Sequence, residues 1–390
     1  MNHLVSRAFV KRVCTDYLHP RLINSIGEVN SELPAGVDDS HKHTSTSIGV
    51  VGVPFSKGSK NSKASGVEDA PYMLREFGLV KEMQQLGHDV KDYGDILCST
   101  NHLSKKSTDG NLPKLPCLND LSQASENLSK MVQTAMKDER KVLIVGGDHS
   151  IALGSVDGHM KAKNGKVCLL WVDAHADLNT ADTSDTGNMH GMPVSLLVKE
   201  LLHYWPYLPG FEWQQPELSI QNIAYIGLRS VDQYERFIIE KYGVSAYGME
   251  DIEKYGIHAV TRLALEKINP DHTRSLHVSF DIDALDALEA PCTGTPVRGG
   301  LTLREAVHIM EVAHRTGWLQ VVDMVEINPS IGNPQQLKIT LEAAMALIKA
   351  AFGFSRSGYV PKHISKLPGF YAPIKGENEN KSKSPPKDKQ

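Results

Sequence analysis

Six short runs of β-branched and apolar residues punctuate the chain: Ser47–Val53, Val142–Val145, Val167–Val172, Ile223–Gly227, Leu276–Phe280 and Leu319–Val325. Runs of this length fit strands buried on both faces. Helix-like stretches separate them. One covers Ala70–Leu86, with small and apolar residues spaced in threes and fours; others cover Asp120–Lys137, Met192–Leu202, Asp232–Lys241, Ala259–Lys267, Thr302–Thr316 and Leu337–Ala351. Strand–helix alternation of this kind predicts an α/β fold, a mainly parallel sheet with helices on both faces. No linker-like break interrupts residues 46–360, so the pattern predicts one domain there.

The ends read differently. Residues 22–45 are rich in Ser, Asn, Asp, His and Gly and read as a linker. The stretch before them carries Arg7, Lys11, Arg12 and Arg21 against one acid, Asp16, with an apolar stripe of Val5, Ala8, Phe9, Val10 and Val13. Such a segment reads either as a mitochondrial presequence or as an extension of a cytoplasmic protein. Residues 361–390 have little to bury and are expected to be a largely disordered tail. A polar patch, residues 100–116, reads as an internal loop.

Composition narrows the class. A net charge of −4 gives no electrostatic footprint for nucleic acid or an anionic membrane. No apolar run approaches the roughly 20 residues of a membrane span. The five cysteines, Cys14, Cys98, Cys117, Cys168 and Cys292, form no C-x-x-C pair, so they read as free thiols.

The chemistry sits where the predicted strands end. After Val167–Val172 comes Asp173-Ala174-His175-Ala176-Asp177. If the backbone stays extended, alternate residues share a face and three ligands project together. After Leu276–Phe280 come Asp281-Ile282-Asp283, by the same logic two carboxylates on one face. After Val142–Val145 comes Gly146-Gly147-Asp148-His149-Ser150, which places His149 at the head of a helix. A turn with a capping residue would explain the last motif alone, and Asp-x-Asp alone is weak. Asp-x-His-x-Asp is far more specific. Carboxylates crowded at the carboxyl ends of parallel strands repel one another unless cations join them. Asp173, Asp177, Asp281 and Asp283 balance two dications, with His149 and His175 completing the set. Oxygen-dominated ligands with imidazole and no thiolate favour Mn²⁺, with catalytic zinc second.

At these motifs the chain resembles the ureohydrolases, and within them the arginases. Gly187–Val194, Ser279–Asp286, Thr293–Leu301, Val325–Pro329, Gly66-Val67-Glu68, Asp92-Tyr93-Gly94-Asp95 and Gly227-Leu228-Arg229 extend the match from about Ile48 to Gly353. The resemblance implies one arginase/deacetylase-like domain around an eight-stranded parallel sheet. It implies two Mn²⁺ per subunit on His149, Asp173, His175, Asp177, Asp281 and Asp283, and hydrolysis of L-arginine to L-ornithine and urea. His190 falls on the family's proton-shuttle position and Glu326 on its guanidinium-binding position. Thr295 matches another pocket position, and His175 also faces substrate. Asn179, Thr186 and Asn188 fall where the α-carboxylate is held, and Asp232 and Glu235 where the α-amino group is met. Phe352-Gly353-Phe354-Ser355-Arg356 looks like the family's trimer-interface segment and implies a homotrimer. Three positions depart from the usual pattern: Thr186 for serine, Ala287 for proline, which leaves its loop without that rigidity, and Ala176 for threonine.

These parts suggest a mechanism. A guanidinium carbon is a poor electrophile and needs hydroxide, which water bridging two metals supplies near neutral pH. Asp177 would be ligand and hydrogen-bond partner of that hydroxide, Glu326 would hold the guanidinium, and His190 would relay the proton that expels the amine. Three other readings compete: agmatinase or another guanidino hydrolase, a one-zinc deacetylase-like amidohydrolase, and a non-catalytic metal-stabilised or arginine-sensing protein. Pro296-Val297 favours arginase over agmatinase, which more often carries an acid after that proline, and the complete ligand and shuttle set disfavours the last.

Overall fold

The computed structural model describes residues 45–59, 65–97, 115 and 117–358. Apart from Ser45, the expected extension (1–45) and tail (361–390) lie outside the described residues, as does most of the polar patch. In chain order, β1 (Ser47–Val53), α1 (Ala70–Glu76), α2 (Leu79–Gln85) and β2 (Asp89–Asp95) come first. Then follow α3 (Leu118–Lys137), β3 (Lys141–Gly146), α4 (Ala152–Ala162), β4 (Val167–Val172), α5 (Pro193–Leu197) and β5 (Ile223–Leu228). The chain continues through α6 (Gln233–Tyr242), β6 (Ser245–Gly248), α7 (Met249–Tyr255), α8 (Ile257–Ile268), β7 (Ser275–Asp281), α9 (Leu303–Arg315), β8 (Leu319–Val325) and α10 (Pro334–Ala351).

The strands form one eight-stranded sheet in the order β2-β1-β3-β8-β7-β4-β5-β6, and every pairing is parallel. Its two faces carry separate apolar layers. On β4, Cys168, Leu170 and Val172 enter one layer while Val167, Leu169 and Trp171 enter the other. The expected doubly covered α/β sheet is therefore present. The topology sends the chain from β3 to β4 across a gap that β8 and β7 later fill. The four central strands β3, β8, β7 and β4 thus end side by side.

Several expected elements differ. The single helix over Ala70–Leu86 is two, because Gly78 takes a left-handed φ of 101° between them. The helix over Met192–Leu202 stops at Leu197; Val198 is extended and bridges Leu218, and a short 3₁₀ turn follows at Lys199–Tyr204. β2 and β6 were not anticipated, because both are edge strands without an apolar run: Asp-Val-Lys-Asp-Tyr-Gly-Asp and Ser-Ala-Tyr-Gly. Helix α7 was missed as well.

The helix headed by His149 packs unusually close to α3. Gly154 and Gly158 lie one turn apart, and a β-carbon on them would come 2.4 Å from Ser125 O and 2.6 Å from Ser129 O. Alanine favours a helix interior over glycine by about 1 kcal/mol. Overpacking against backbone should reverse that sign here and cost about 1–3 kcal/mol. Gly154→Ala and Gly158→Ala should each lower the thermal midpoint, whereas a rise in either would show that α3 and α4 can part freely.

Candidate metal centre

The ligands converge where the four central strands end. From β3, Asp148 caps the next turn by accepting from Ser150 N (3.1 Å), which sets His149 at the head of the 3₁₀ segment leading into α4. Gly147 is obligatory in that turn, since a β-carbon would lie 1.9 Å from Phe55 O. His149 Nδ1 lies 3.1 Å from Asp173 Oδ2, 3.3 Å from Asp177 Oδ2 and 3.2 Å from Asp281 Oδ2. His175 Nδ1 lies 3.4 Å from Asp173 Oδ1 and 3.3 Å from Asp283 Oδ2. Two ligand groups result, His149–Asp173–Asp281 and Asp173–His175–Asp283, joined by the two oxygens of Asp173.

The convergence does not follow strand faces. β4 ends at Val172, and the backbone bends through Asp173–His175 before Asp177 takes a left-handed φ of 49°. Asp283 lies in a 3₁₀ turn, Ile282–Ala284, not on an extended strand; Asp281 caps it by accepting from Asp283 N (2.8 Å). The i, i+2, i+4 spacing brings the side chains together by sharp turns that re-aim each residue.

This donor set fits a divalent metal. His149 is buried, yet its Nδ1 has no hydrogen bond: all three carboxylate oxygens near it lack hydrogen-bond geometry. They point at a shared place beside the ring nitrogen, as ligands of one ion would. Burial alone would lower the His149 pKa, but Asp173, Asp177 and Asp281 hold it well above the usual histidine range. Burial likewise opposes the charge on His175, which Asp173 and Asp283 push up to about 12. Burial and Asp173 push Asp177 up to about 6, and burial with Asp283 and Asp173 raises Asp281 well above its ordinary value. With protons as the only cations, the cluster stays partly protonated. A metal takes the protons' place.

Neighbours hold the ligands. Trp171 Nε1 donates to Asp173 Oδ2 (2.9 Å), and its ring stacks on His149 with centroids 3.9 Å apart. Thr295 Oγ1 donates to Asp283 Oδ2 (3.0 Å). The Arg229 guanidinium donates to the backbone carbonyls of Gly227, Asp283, Ala284, Leu285 and Val297. It ties the loop after β5 to the loop bearing Asp283. The missing proline at Ala287 is offset by Asp286, whose carboxylate accepts from the backbone of Leu288, Gly299 and Gly300.

Glu326 and His190 meet beside this cluster. Glu326, at the end of β8, has a left-handed φ of 62° and is 2% exposed. Its Oε1 accepts from His149 N (2.9 Å) and lies 3.0 Å from His190 Nδ1. Burial disfavours the charged imidazole, but Glu326 pushes His190 up to about 9. The His190 backbone N–H is held by Gly58 O (3.2 Å), and Gly58 N donates to Asp148 Oδ2 (2.6 Å). Motif spacing gave no sign that the two share a bond.

The remaining expected contacts form a second group. Asn179 Nδ2 donates to Asp232 Oδ2 (2.8 Å), and Asn179 Oδ1 accepts from Thr183 Oγ1 (2.9 Å). Thr186 is exposed and its Oγ1 accepts from Asn188 N (3.2 Å), so both stand on one loop. Glu235 stands beside Asp232. It is 4% exposed, and its oxygens accept from Leu178 N (2.9 Å) and Asp232 N (2.9 Å). One bond to each oxygen joins the Asp177 loop to the cap of α6. Arg356, expected at a subunit interface, pairs within the chain with Glu311 (2.9 Å).

The model of the arginase family matches residues 46–353. The hepatic arginase of Aquarana catesbeiana is 41% identical over 327 residues, covering 84% of this chain and 98% of that protein. The mitochondrial arginase-2 of Homo sapiens is 40% identical over 356 residues, covering 90% and 98%. The native structure of the Bacillus caldovelox arginase superposes with a TM-score of 0.70 at 30% identity, covering 80% of this chain and 99% of that one.

Because metal displaces protons here, affinity for a divalent ion should fall about tenfold for each pH unit of acidification and each proton displaced. Equilibrium dialysis of metal-stripped protein between pH 6 and 8 reads this directly. A flat profile would mean that the ligands are already deprotonated and that the charge argument fails.

Proposed function

The chain belongs to the arginase family, and from that premise we propose how its residues divide the work. The enzyme hydrolyses L-arginine to L-ornithine and urea and uses a metal cofactor. We assign two Mn²⁺ per subunit to His149, Asp173, His175, Asp177, Asp281 and Asp283. The observation that carries this is one carboxylate, Asp173, shared between two buried ligand groups. When bound, the two ions acidify water enough for attack near neutral pH.

The chain's own residues supply the rest. Glu326 receives the substrate guanidinium through charge-assisted hydrogen bonds, and its burial fixes the direction of approach. Thr295 and His175 line the same side, since both bond or approach Asp283. His190 delivers the proton that the leaving amine needs, its Nδ1 lying 3.0 Å from the Glu326 carboxylate. Asn179, Thr186 and Asn188 present amide and hydroxyl groups to the α-carboxylate, and Asp232 presents a carboxylate to the α-amino group. Glu235 serves that end through Asp232, whose backbone it holds. A homotrimer is the assembly we expect; the support is the resemblance of Phe352–Arg356 to the family's interface segment.

Replacing His190 by Asn should leave metal content unchanged and remove most of kcat, on the order of 10²-fold or more. Unchanged turnover in His190→Asn would remove the shuttle role. Urea release from L-arginine and from agmatine, assayed side by side on Mn²⁺-loaded protein, should strongly favour arginine. Preference for agmatine would refute the roles given to Asn179, Thr186 and Asn188.

A further inference from the structure

Strand β7 alternates in a way that a doubly buried strand rarely does. Leu276, Val278 and Phe280 enter one apolar layer, while His277, Ser279 and Asp281 point to the other face and are all buried. Asp323 on β8 sits in register with Ser279. Helix α4 covers this strip with Ser155 and His159, one turn apart and both fully buried. Only Ser279 and Asp281 of these polar groups touch or belong to the metal ligands, so His159, His277 and Asp323 lack a role in the chemistry above.

Their hydrogen bonds form a line. Asp323 Oδ2 accepts from Ser155 Oγ (2.8 Å) and Ser279 Oγ (3.0 Å), and lies 3.0 Å from His277 Nε2. Ser279 Oγ lies 2.9 Å from His149 Nε2. At the other end, His277 Nδ1 lies 3.3 Å from His159 Nδ1, and His159 Nε2 lies 2.7 Å from Ser275 Oγ. The line runs from the metal centre to the amino end of β7.

The directions can be worked out. An ionised carboxylate only accepts. Burial opposes the charge on Asp323, but His277, Ser155 and Ser279 together hold its pKa below the ordinary range. Ser279 therefore spends its one hydroxyl proton on Asp323 and can only accept from His149. His149 must carry its proton on Nε2. Its Nδ1 lone pair is then left facing Asp173, Asp177 and Asp281, where a metal ligand is required. On the far side, His277 can meet the carboxylate only by donating from Nε2. His159, held well below the usual histidine range by burial and by His277, is the neutral partner at the end of the line, between His277 Nδ1 and Ser275 Oγ. The Ser155, Ser279 and His277 protons all point toward Asp323.

We propose that Asp323 is a positioning residue for the metal centre, fixing through Ser279 the tautomer of His149 that leaves Nδ1 free, with His277 and His159 holding Asp323 ionised and in place. The proposal rests on the assignment of His149 as a metal ligand. An outer partner of a metal-bound histidine is typically worth 10–100-fold in metal affinity. In Asp323→Asn the amide can donate to Ser279. The Ser279 proton then turns to His149 Nε2 and favours a proton on Nδ1, which blocks the ligand.

The test is Mn²⁺ binding to metal-stripped protein, followed by electron paramagnetic resonance of free Mn²⁺. Asp323→Asn should weaken one bound ion about 10–100-fold, with KM for L-arginine at saturating Mn²⁺ within about twofold of the parent. Ser155→Ala removes a donor from the same carboxylate outside the line and should leave both ions in place. Ser279→Ala should lose as much as Asp323→Asn, and the double variant no more than Ser279→Ala alone, because the two act in series. Unchanged Mn²⁺ affinity in Asp323→Asn, or additive losses in the double variant, overturns the proposal. If Asp323→Asn does not fold, ¹⁵N resonances of the unaltered protein loaded with diamagnetic Zn²⁺ decide. A proton must sit on Nε2 of His149 and on Nε2 of His277, and its absence from either nitrogen overturns the proposal. A parent that binds one ion would refute the two-manganese reading alone; the effect of Asp323→Asn on that ion would still decide the relay. A parent that binds none, or binds without His149, would refute the ligand assignment itself.

Discussion

Four carboxylates and the His149 imidazole share a space from which water is almost excluded, with His175 at its more open side. Asp173 is wholly buried, and Asp281, Asp283, Asp177 and His149 are each less than a tenth exposed. Ionised carboxylates lose several kcal/mol of hydration apiece in such surroundings, and mutual repulsion adds to that. The cluster is therefore an unstable arrangement until cations occupy it. Much of the local structure reads as a means of keeping the ligands aimed while that condition is met. The Trp171 indole, the Thr295 hydroxyl and the Arg229 fork each restrain a ligand or the loop that bears it.

Sheet order makes the cluster achievable. In sequence, His149 and Asp281 are far apart, and no local pattern could join them. In the sheet, β3, β8, β7 and β4 are consecutive neighbours, so their carboxyl ends present residues a few ångströms apart. Open α/β sheets bind ligands at this edge because the chain leaves the strands there in diverging directions. The turns then do the fine aiming. Asp177 and Glu326 hold left-handed backbone that costs non-glycine residues on the order of 1–3 kcal/mol. Both lie at the site, where surrounding bonds over-determine them.

The sequence carried this much unevenly. The six apolar runs were legible because strands covered on both faces need such residues, and each became a strand. The ligand motifs were legible because Asp-x-His-x-Asp has few other uses. The route to the geometry was not: alternation was expected to aim the ligands, and bends and a 3₁₀ turn do so instead. Edge strands β2 and β6 escaped because an edge strand buries too little to leave an apolar signature. Glu235 reads as a helix-start acid, and its bond to Asp232 N is the capping box that this spacing fits, whereas its bond to Leu178 N is long-range and no local pattern reveals it. The polar alternation of Ser275, His277, Ser279 and Asp281 was present in the sequence and was absorbed into an apolar run. Trp171 carried a quieter signal, since a buried indole N–H needs an acceptor and Asp173 is two residues away.

Glu326 shows how few atoms couple the steps of the reaction assigned to this site. One oxygen, Oε1, meets the backbone N–H of the ligand His149 and the ring of His190. Without substrate, that carboxylate is the chief reason the His190 pKa stands up at about 9. A guanidinium bound to Glu326 brings a competing positive charge to the same carboxylate. The support for a proton on His190 then weakens, and its pKa falls. A lower value lets the group give up a proton at neutral pH more readily than one held at about 9. On the roles proposed for Glu326 and His190, substrate binding and readiness of the proton carrier are linked through one carboxylate, with no movement of the backbone required.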